Sequence, residues 1–319
     1  MNEEKSLKPE EVASILKITK NTVYALIKRG ELKAYRIGRK IRVDLQDVEA
    51  YKNKGKGINK PVNKPVSSPS LFEKASYSAE KHVSSAGLVI YGQDILLDIL
   101  SRYLECHPVG FPAFRCNAGS FAGLNAMYQG KASMTSVHLW DGDSDVYNIP
   151  YVRRLLPGFS TVLVHLAMRR QGFYVAKGNP KKITDWTDLS RPDIIFVNRE
   201  KGSGTRVLLD EKLRLLGIDR QQIQGYGREE FSHLAVASAV SRGEADVGMG
   251  NEKSSLQVRG VEFVPKQKER YELVIKKEDI NKPQFQAVLE ILRSQEFQEE
   301  LQGLGDYDLS ETGRIVAEI

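Results

Sequence analysis

Between residues 52 and 70 the chain reads KNKGKGINKPVNKPVSSPS, a stretch in which no apolar residue recurs at helix or strand spacing. A chain interrupted in this way does not build one core across the break. Its 319 residues are therefore expected to fold as a small N-terminal unit and a much larger second one. We place the head at 1–56, the linker at 57–83 and the body at 84–319. Charge divides at nearly the same point. Residues 1–57 hold 14 Lys/Arg against 8 Asp/Glu, and the remainder holds 33 of each. A cationic head on a neutral body points to a module that reads a polyanion, joined to one that reads another signal.

Composition narrows the class. At 41% apolar residues the chain can fill more than one core, yet no apolar run approaches the roughly 18 residues of a membrane helix. The start, MNEEKSLKPEEVASIL, is acidic and amphipathic, unlike a signal peptide. We expect a soluble, cytoplasmic protein without a membrane partner. Cys106 and Cys116 fit neither a disulfide framework nor a metal-ligand spacing. His138, His165 and His233 are far apart in sequence and show no HxH or HxxxH pattern, so we expect no metal and no cofactor.

Within the head, Leu7, Val12, Ile15 and Leu16 recur at helical spacing with Pro9 in a first turn, which predicts a supporting helix over 8–16. A second helix starts at Thr19 and ends at Gly30. It buries Val23, Leu26 and Ile27 and turns Lys20, Asn21, Tyr24 and Lys28 outward. Residues 32–37 and 40–43 then alternate around Gly38-Arg39 as a tight hairpin, and 44–51 read as a capped closing helix. This order resembles the excisionase-type, mercury-resistance-regulator-like family of winged helix-turn-helix domains, carried by VYALIKRGELKAYRIGRKIRVDLQDVEAY. The resemblance implies that Thr19, Lys20, Asn21, Thr22, Tyr24 and Lys28 face double-stranded DNA. It further implies that Arg36, Arg39, Lys40 and Arg42 form a wing on phosphates or in a minor groove.

The body alternates short apolar strands with helices. Ala86–Tyr91 leads to a helix over 95–104, Phe111–Cys116 to one over 121–129, and Asp193–Asn198 through a Gly/Ser turn to one over 206–216. A helix over 233–241 precedes the strand 245–249, and 284–304 reads as a pair of packing helices. An α/β body of two lobes around a cleft follows.

The sharpest motif is Lys201-Gly202-Ser203-Gly204-Thr205-Arg206, set between a strand and a helix. Glycines let several backbone N–H groups point one way, and the helix start adds partial positive charge, which together suit an anion. The sequence is neither a nucleotide P-loop nor a GxSxG elbow, and we read no catalytic set, hence no enzyme. Similar turns lie at 91–94, 117–123 and 229–233. Asp94, Glu229 and Glu230 sit in them and would repel a bare anion unless each caps its own helix or takes a proton or N–H from a larger ligand.

The body resembles the periplasmic-binding-protein-like sensor fold, type II, of the molybdate-binding-like kind. The match is carried by AGSFAGLNAMYQGKAS, VNREKGSGTRVLLD and HLAVASAVSRGEADVGMG. It implies Gln93, Asp94, Gly119, Ser120, Ser203, Gly204, Thr205, Arg206, Ser232 and His233 as ligand-binding positions. The fold class is thus a small winged helix-turn-helix head plus a two-lobed α/β body. The function expected is a one-component transcriptional regulator that senses a small anionic ligand, with molybdate or tungstate foremost, and that acts as a homodimer. Two alternatives stand beside it: a molybdenum-cofactor-related protein with a pterin-like ligand, and a recombination directionality factor, against which a body of this size argues.

Overall fold

In the computed structural model of the chain, residues 6–29, 31–38, 40–55 and 87–319 are described, and they group into two compact units, head and body. The expected linker and Arg39 lie outside these residues.

The head is built as its periodicity predicts. Strand β1 (Ser6–Leu7) precedes α1 (Pro9–Leu16) and α2 (Lys20–Lys28), and a hairpin of β2 (Tyr35–Ile37) and β3 (Lys40–Asp44) leads into α3 (Leu45–Gly55). Thr19 caps α2, its hydroxyl accepting the Thr22 N–H at 3.3 Å. Val12, Val23, Leu26, Leu32, Val43 and Val48 close the core. Two features were not expected. β1 pairs with β3 to make a third strand, and α3 runs past Tyr51 to Gly55, taking up the first residues of the polar stretch that starts at Lys52.

In the body, β4 (Leu88–Tyr91), α4 (Ile95–Cys106), β5 (Ala113–Cys116), α5 (Ser120–Tyr128) and β6 (Met134–Val137) form the expected alternation of strand and helix, with β4 parallel to β5 and β6. A small hairpin of β7 (Trp140–Asp141) and β8 (Val146–Tyr147) and helix α6 (Ile149–Leu155) lead to β9 (Thr161–Ala176). The second lobe follows: β10 (Phe196–Arg199), α7 (Gly204–Leu216), β11 (Glu229–Glu230), α8 (His233–Ser241), β12 (Val247–Asn251) and α9 (Glu252–Leu256). β10 is parallel to β11 and β12. Then β13 (Val261–Lys276) returns to the first lobe, which α10 (Pro283–Arg293), α11 (Gln295–Gly303) and β14 (Ile315–Glu318) complete.

What joins the lobes is a pair of strands that periodicity did not predict. β9 and β13 are 16 residues each and pair antiparallel along their whole length, with register shifts near Pro265 and Tyr271. They sit in the middle of a nine-stranded sheet of order β11-β10-β12-β9-β13-β6-β4-β5, with β14 also on β9. Each end of β9 enters a different core. Val162, Val164 and Leu166 pack with Leu96, Leu100 and Phe285, whereas Phe173 and Val175 pack with Phe196, Leu209 and Val247. A fully buried side chain of this size contributes roughly 1.5–3 kcal/mol, so each lobe is anchored to its own half of the strand. Between those halves lies the polar stretch Arg169-Arg170-Gln171, at the floor of the cleft.

Candidate functional site

Four helices start at one place. Asp94, Gly119, Ser203 and Ser232 are the N-caps of α4, α5, α7 and α8. Three of these caps serve their own helix: Asp94 Oδ1 accepts Leu96 N–H at 2.8 Å, Ser203 Oγ accepts Arg206 N–H at 3.3 Å, and Ser232 Oγ accepts Ala235 N–H at 3.0 Å. The remaining first-turn N–H groups carry the positive end of each helix. Residues from all four starts, Asp94, Gly119, Ser120, Ser203 and His233 among them, line a single inner cavity. Its free volume is about 10 Å³, room for about one water.

The lobes meet across this cavity. Phe121 N–H of the first lobe donates to the Gly202 carbonyl of the second at 3.0 Å. Gly202 has φ +85°, a backbone angle that glycine adopts without strain and that turns this carbonyl toward α5. Beside that bond, Gln93 Nε2 donates to Glu200 Oε1 at 3.1 Å and Gln93 Oε1 accepts from Arg199 Nη2 at 2.5 Å.

The floor comes from β9 and β13. Side chains two apart share one face of a strand, which sends Arg169 and Gln171 of β9 and Glu269 and Tyr271 of β13 to the same side. Arg169, 5% exposed, donates from Nη1 to Asp94 Oδ2, holds Nη2 2.6 Å from Glu269 Oε1 and lies 3.8 Å from the centre of the Tyr271 ring. Glu269 also accepts from Gln171 Nε2 at 3.0 Å and from His138 Nδ1 at 2.6 Å. Burial pushes the Glu269 carboxyl up, but Arg169, His138 and Gln171 outweigh it and bring it down to about 2. His233 moves the other way. Burial, then the nearby Arg199 and Arg169 guanidinium groups, hold its imidazole well below the usual range, so it is neutral at pH 7. Arg169 Nε, Arg199 Nη1 and His233 Nδ1 are buried polar atoms with no hydrogen-bond partner among the described residues. A buried polar atom without a partner is costly, and two of the three belong to Arg169 and His233, which line this cavity.

A search of known families returns the PBP superfamily domain over residues 101–293, more than half of the chain. The chain belongs to the PBP superfamily. The Helix-turn-helix domain matches residues 6–56, so this PBP-superfamily chain also carries a DNA-binding module at its N-terminus. It is 42% identical over 318 residues to the Uncharacterized protein YvgK of Bacillus subtilis (strain 168), with both chains covered in full. It is 63% identical over 113 residues to the Uncharacterized protein in ferredoxin 2Fe-2S gene 5'region of Clostridium pasteurianum, covering 35% of this chain and 100% of that one. Two solved structures share the fold of the body. One is a putative phosphate ABC transporter substrate-binding protein with bound phosphate from Clostridium perfringens, with TM-score 0.52 and 17% identity over 69% of this chain and 98% of that one. The other is the sulfate-binding protein SubI from Mycobacterium tuberculosis H37Rv, with TM-score 0.52 and 13% identity over 70% and 86%.

In this PBP-superfamily body, Gln93, Asp94, Gly119, Ser120, Ser203 and His233 line the inner cavity, and Ser232 lines the space just outside it. Three residues of the Gly/Ser turn do other work. Gly204 packs against His138, the Thr205 hydroxyl donates to Gln171 Oε1 at 3.1 Å, and Arg206 turns away from the cleft. Arg206 is held by Asp210, by Glu229 and by the face of Tyr226. That also accounts for two of the three carboxylates: Asp94 caps α4 and pairs with Arg169, and Glu229 pairs with Arg206. Sequence reasoning missed Arg169, Glu269, Gln171 and Arg199, and it set His138 and His233 apart although the fold brings both to the cavity. A signal was present in β9, where an apolar run breaks at Arg-Arg-Gln and resumes, the pattern of a strand that crosses between two cores.

In the head, Asn21 and Lys28 are exposed and Tyr24 is 39% exposed. The Thr19 and Thr22 hydroxyls bond each other at 2.8 Å, and Lys20 Nζ lies 2.5 Å from Glu10 Oε1. Tyr24, Lys40 and Arg42 line one groove together with Lys8, Pro9 and Glu10 at the start of α1. The side chain of Arg36, like the whole of Arg39, lies outside the described residues.

Proposed function

We propose that this chain is a one-component transcriptional regulator whose body holds a tetrahedral oxyanion between its lobes. The anion is either free, with molybdate and tungstate foremost, or the end group of a larger molecule. Its binding favours lobe closure, and in a homodimer on a two-fold operator closure changes how the two heads engage DNA. The observation that carries this reading is the convergence of four helix N-termini on one small cavity. Such a cavity offers N–H donors and positive potential without a mobile cation. Two further features support it. Arg169 pairs with both Asp94 and Glu269 and offsets one of their two negative charges, and the neutral His233 can donate without adding charge.

The test is thermal unfolding of the full chain with molybdate, tungstate, sulfate and phosphate, followed by DNA mobility with each. An anion at 100 times its Kd adds about 2.7 kcal/mol, which for a body of this size raises Tm by roughly 5–10 °C. A flat response to all four, with DNA mobility unchanged, removes the reading. The DNA half has its own check. Lys40→Ala with Arg42→Ala is expected to weaken operator binding and to reduce the slope of log K against log salt by about 0.9 for each phosphate that is no longer neutralised. An unaltered slope means that the hairpin does not touch the backbone of DNA.

A further inference from the structure

Outside the inner cavity, and sharing Gln93, Asp94 and His233 with it, lies a second chamber of about 270 Å³, against roughly 30 Å³ for one water in the liquid. A free oxyanion held at the four helix starts makes no use of this chamber and leaves it to solvent. Its wall is mixed: Ile95 and Leu234 present apolar surface beside side chains that can hydrogen-bond. Asn117 and Gln257 reach it from opposite lobes, both exposed and making no side-chain hydrogen bond to other described residues, and Ser254 stands between. The charged groups in the wall are already engaged. Asp98 pairs with Arg115, and the Lys253 ammonium rests on the carbonyls of Leu304 and Gly305. Among the described lining residues the one phenol ring is that of Tyr307, which gives its hydroxyl to Asp94 at 2.6 Å and has Lys253 5.1 Å from its ring centre.

We infer that the effector is an ester rather than a free oxyanion: a phosphate or related tetrahedral group seated at the four helix starts, carrying an uncharged, hydroxyl-rich, non-aromatic body in the outer chamber. The inference rests on the anion reading above. The lining selects the class in three ways. Unengaged amides match hydroxyls, which both donate and accept. The absence of an unoccupied aromatic face among the described lining residues disfavours a flat heteroaromatic body such as a pterin, which gains most from stacking. With Asp98 paired to Arg115 and the Lys253 ammonium held by two carbonyls, the described lining leaves no unengaged charge to hold a second charged group. Gln93 then has a double part, since it bridges the lobes at Arg199 and Glu200 and borders both chambers, so a body that reaches across the cleft bonds where the lobes close.

The experiment is calorimetric titration of the full chain with inorganic phosphate, molybdate, glycerol 3-phosphate and glucose 6-phosphate. At least one ester is expected to bind tenfold or more tightly than either inorganic anion. Asn117→Leu and Gln257→Leu, both at exposed positions, are expected to erase that advantage while leaving affinity for the inorganic anion within twofold. Molybdate or phosphate binding at least as tightly as both esters, with both variants silent, overturns the inference and leaves the anion reading intact. No binding by any of the four overturns the anion reading, and this inference with it.

Discussion

Arg169→Ala is expected to destabilise the body by about 3–5 kcal/mol, the cost of removing one partner from a buried ion network, and to lower Tm by roughly 10 °C or more. The guanidinium faces Asp94 on one side and Glu269 on the other, and both carboxylates are buried. Removing it leaves two buried charges with only hydrogen bonds to hold them. Arg169→Lys recovers little, because one ammonium cannot span both carboxylates and lie flat on Tyr271. Combining Arg169→Ala with Glu269→Gln should cost less than the sum of the two, with a coupling above about 1 kcal/mol in denaturant unfolding. The pH dependence has a definite sign. Glu269 is lowered from its ordinary 4.5 to about 2, so its contribution is complete above about pH 4.5 and is lost as the pH falls through 2. The gap between wild type and variant should therefore narrow over that window. Additive losses, or a gap independent of pH, would show that Arg169 is not the group that holds these carboxylates.

Gly204→Ala is expected to weaken anion binding tenfold to a hundredfold while both lobes stay folded. A Cβ built on Gly204 comes within 2.6 Å of the His138 carbonyl oxygen and of two atoms of its ring. The ring can yield to it, but the carbonyl cannot. Gly204 opens α7 in the second lobe and His138 follows β6 in the first, so the clash is relieved by parting the lobes at the cavity. Overpacking of this kind costs about 1–3 kcal/mol, here borne by the closed arrangement. Alanine suits the first turn of a helix, so α7 itself does not suffer. Titration with molybdate reads the affinity, and small-angle scattering should show a larger radius for the variant with molybdate present than for wild type. Unchanged affinity would mean that closure does not pass through this contact.

These two predictions turn on residues of opposite legibility. Gly204 stands in a motif that announces itself, since a strand, a Gly/Ser turn and a helix in sequence give a helix start whatever the rest of the chain does. Arg169 stands in no motif. Its importance comes from Asp94, 75 positions away, and from Glu269, on a strand that pairs with its own. His138 and His233 illustrate the same limit, for their separation in sequence says nothing of a shared cavity. Arg206 shows the converse error. Next to the turn in sequence, it faces away, because a helix rotates each successive side chain by about 100°.

Local sequence was enough for the division into a cationic head and a neutral body, the helix-turn-helix and hairpin of that head, and the alternation of strand and helix in both lobes, with a Gly/Ser turn before the helix that follows Asn198. Each of these depends on neighbours within a few residues: periodicity, capping and turn chemistry act over one or two helical turns. Long-range packing alone settles that β9 and β13 span both lobes, that four helix starts share one cavity, and that Asp94 and Glu269 there pair with Arg169. Those outcomes depend on pairing between residues as distant as Arg169 and Glu269, where register is set by the packing of two separate cores at the strand ends.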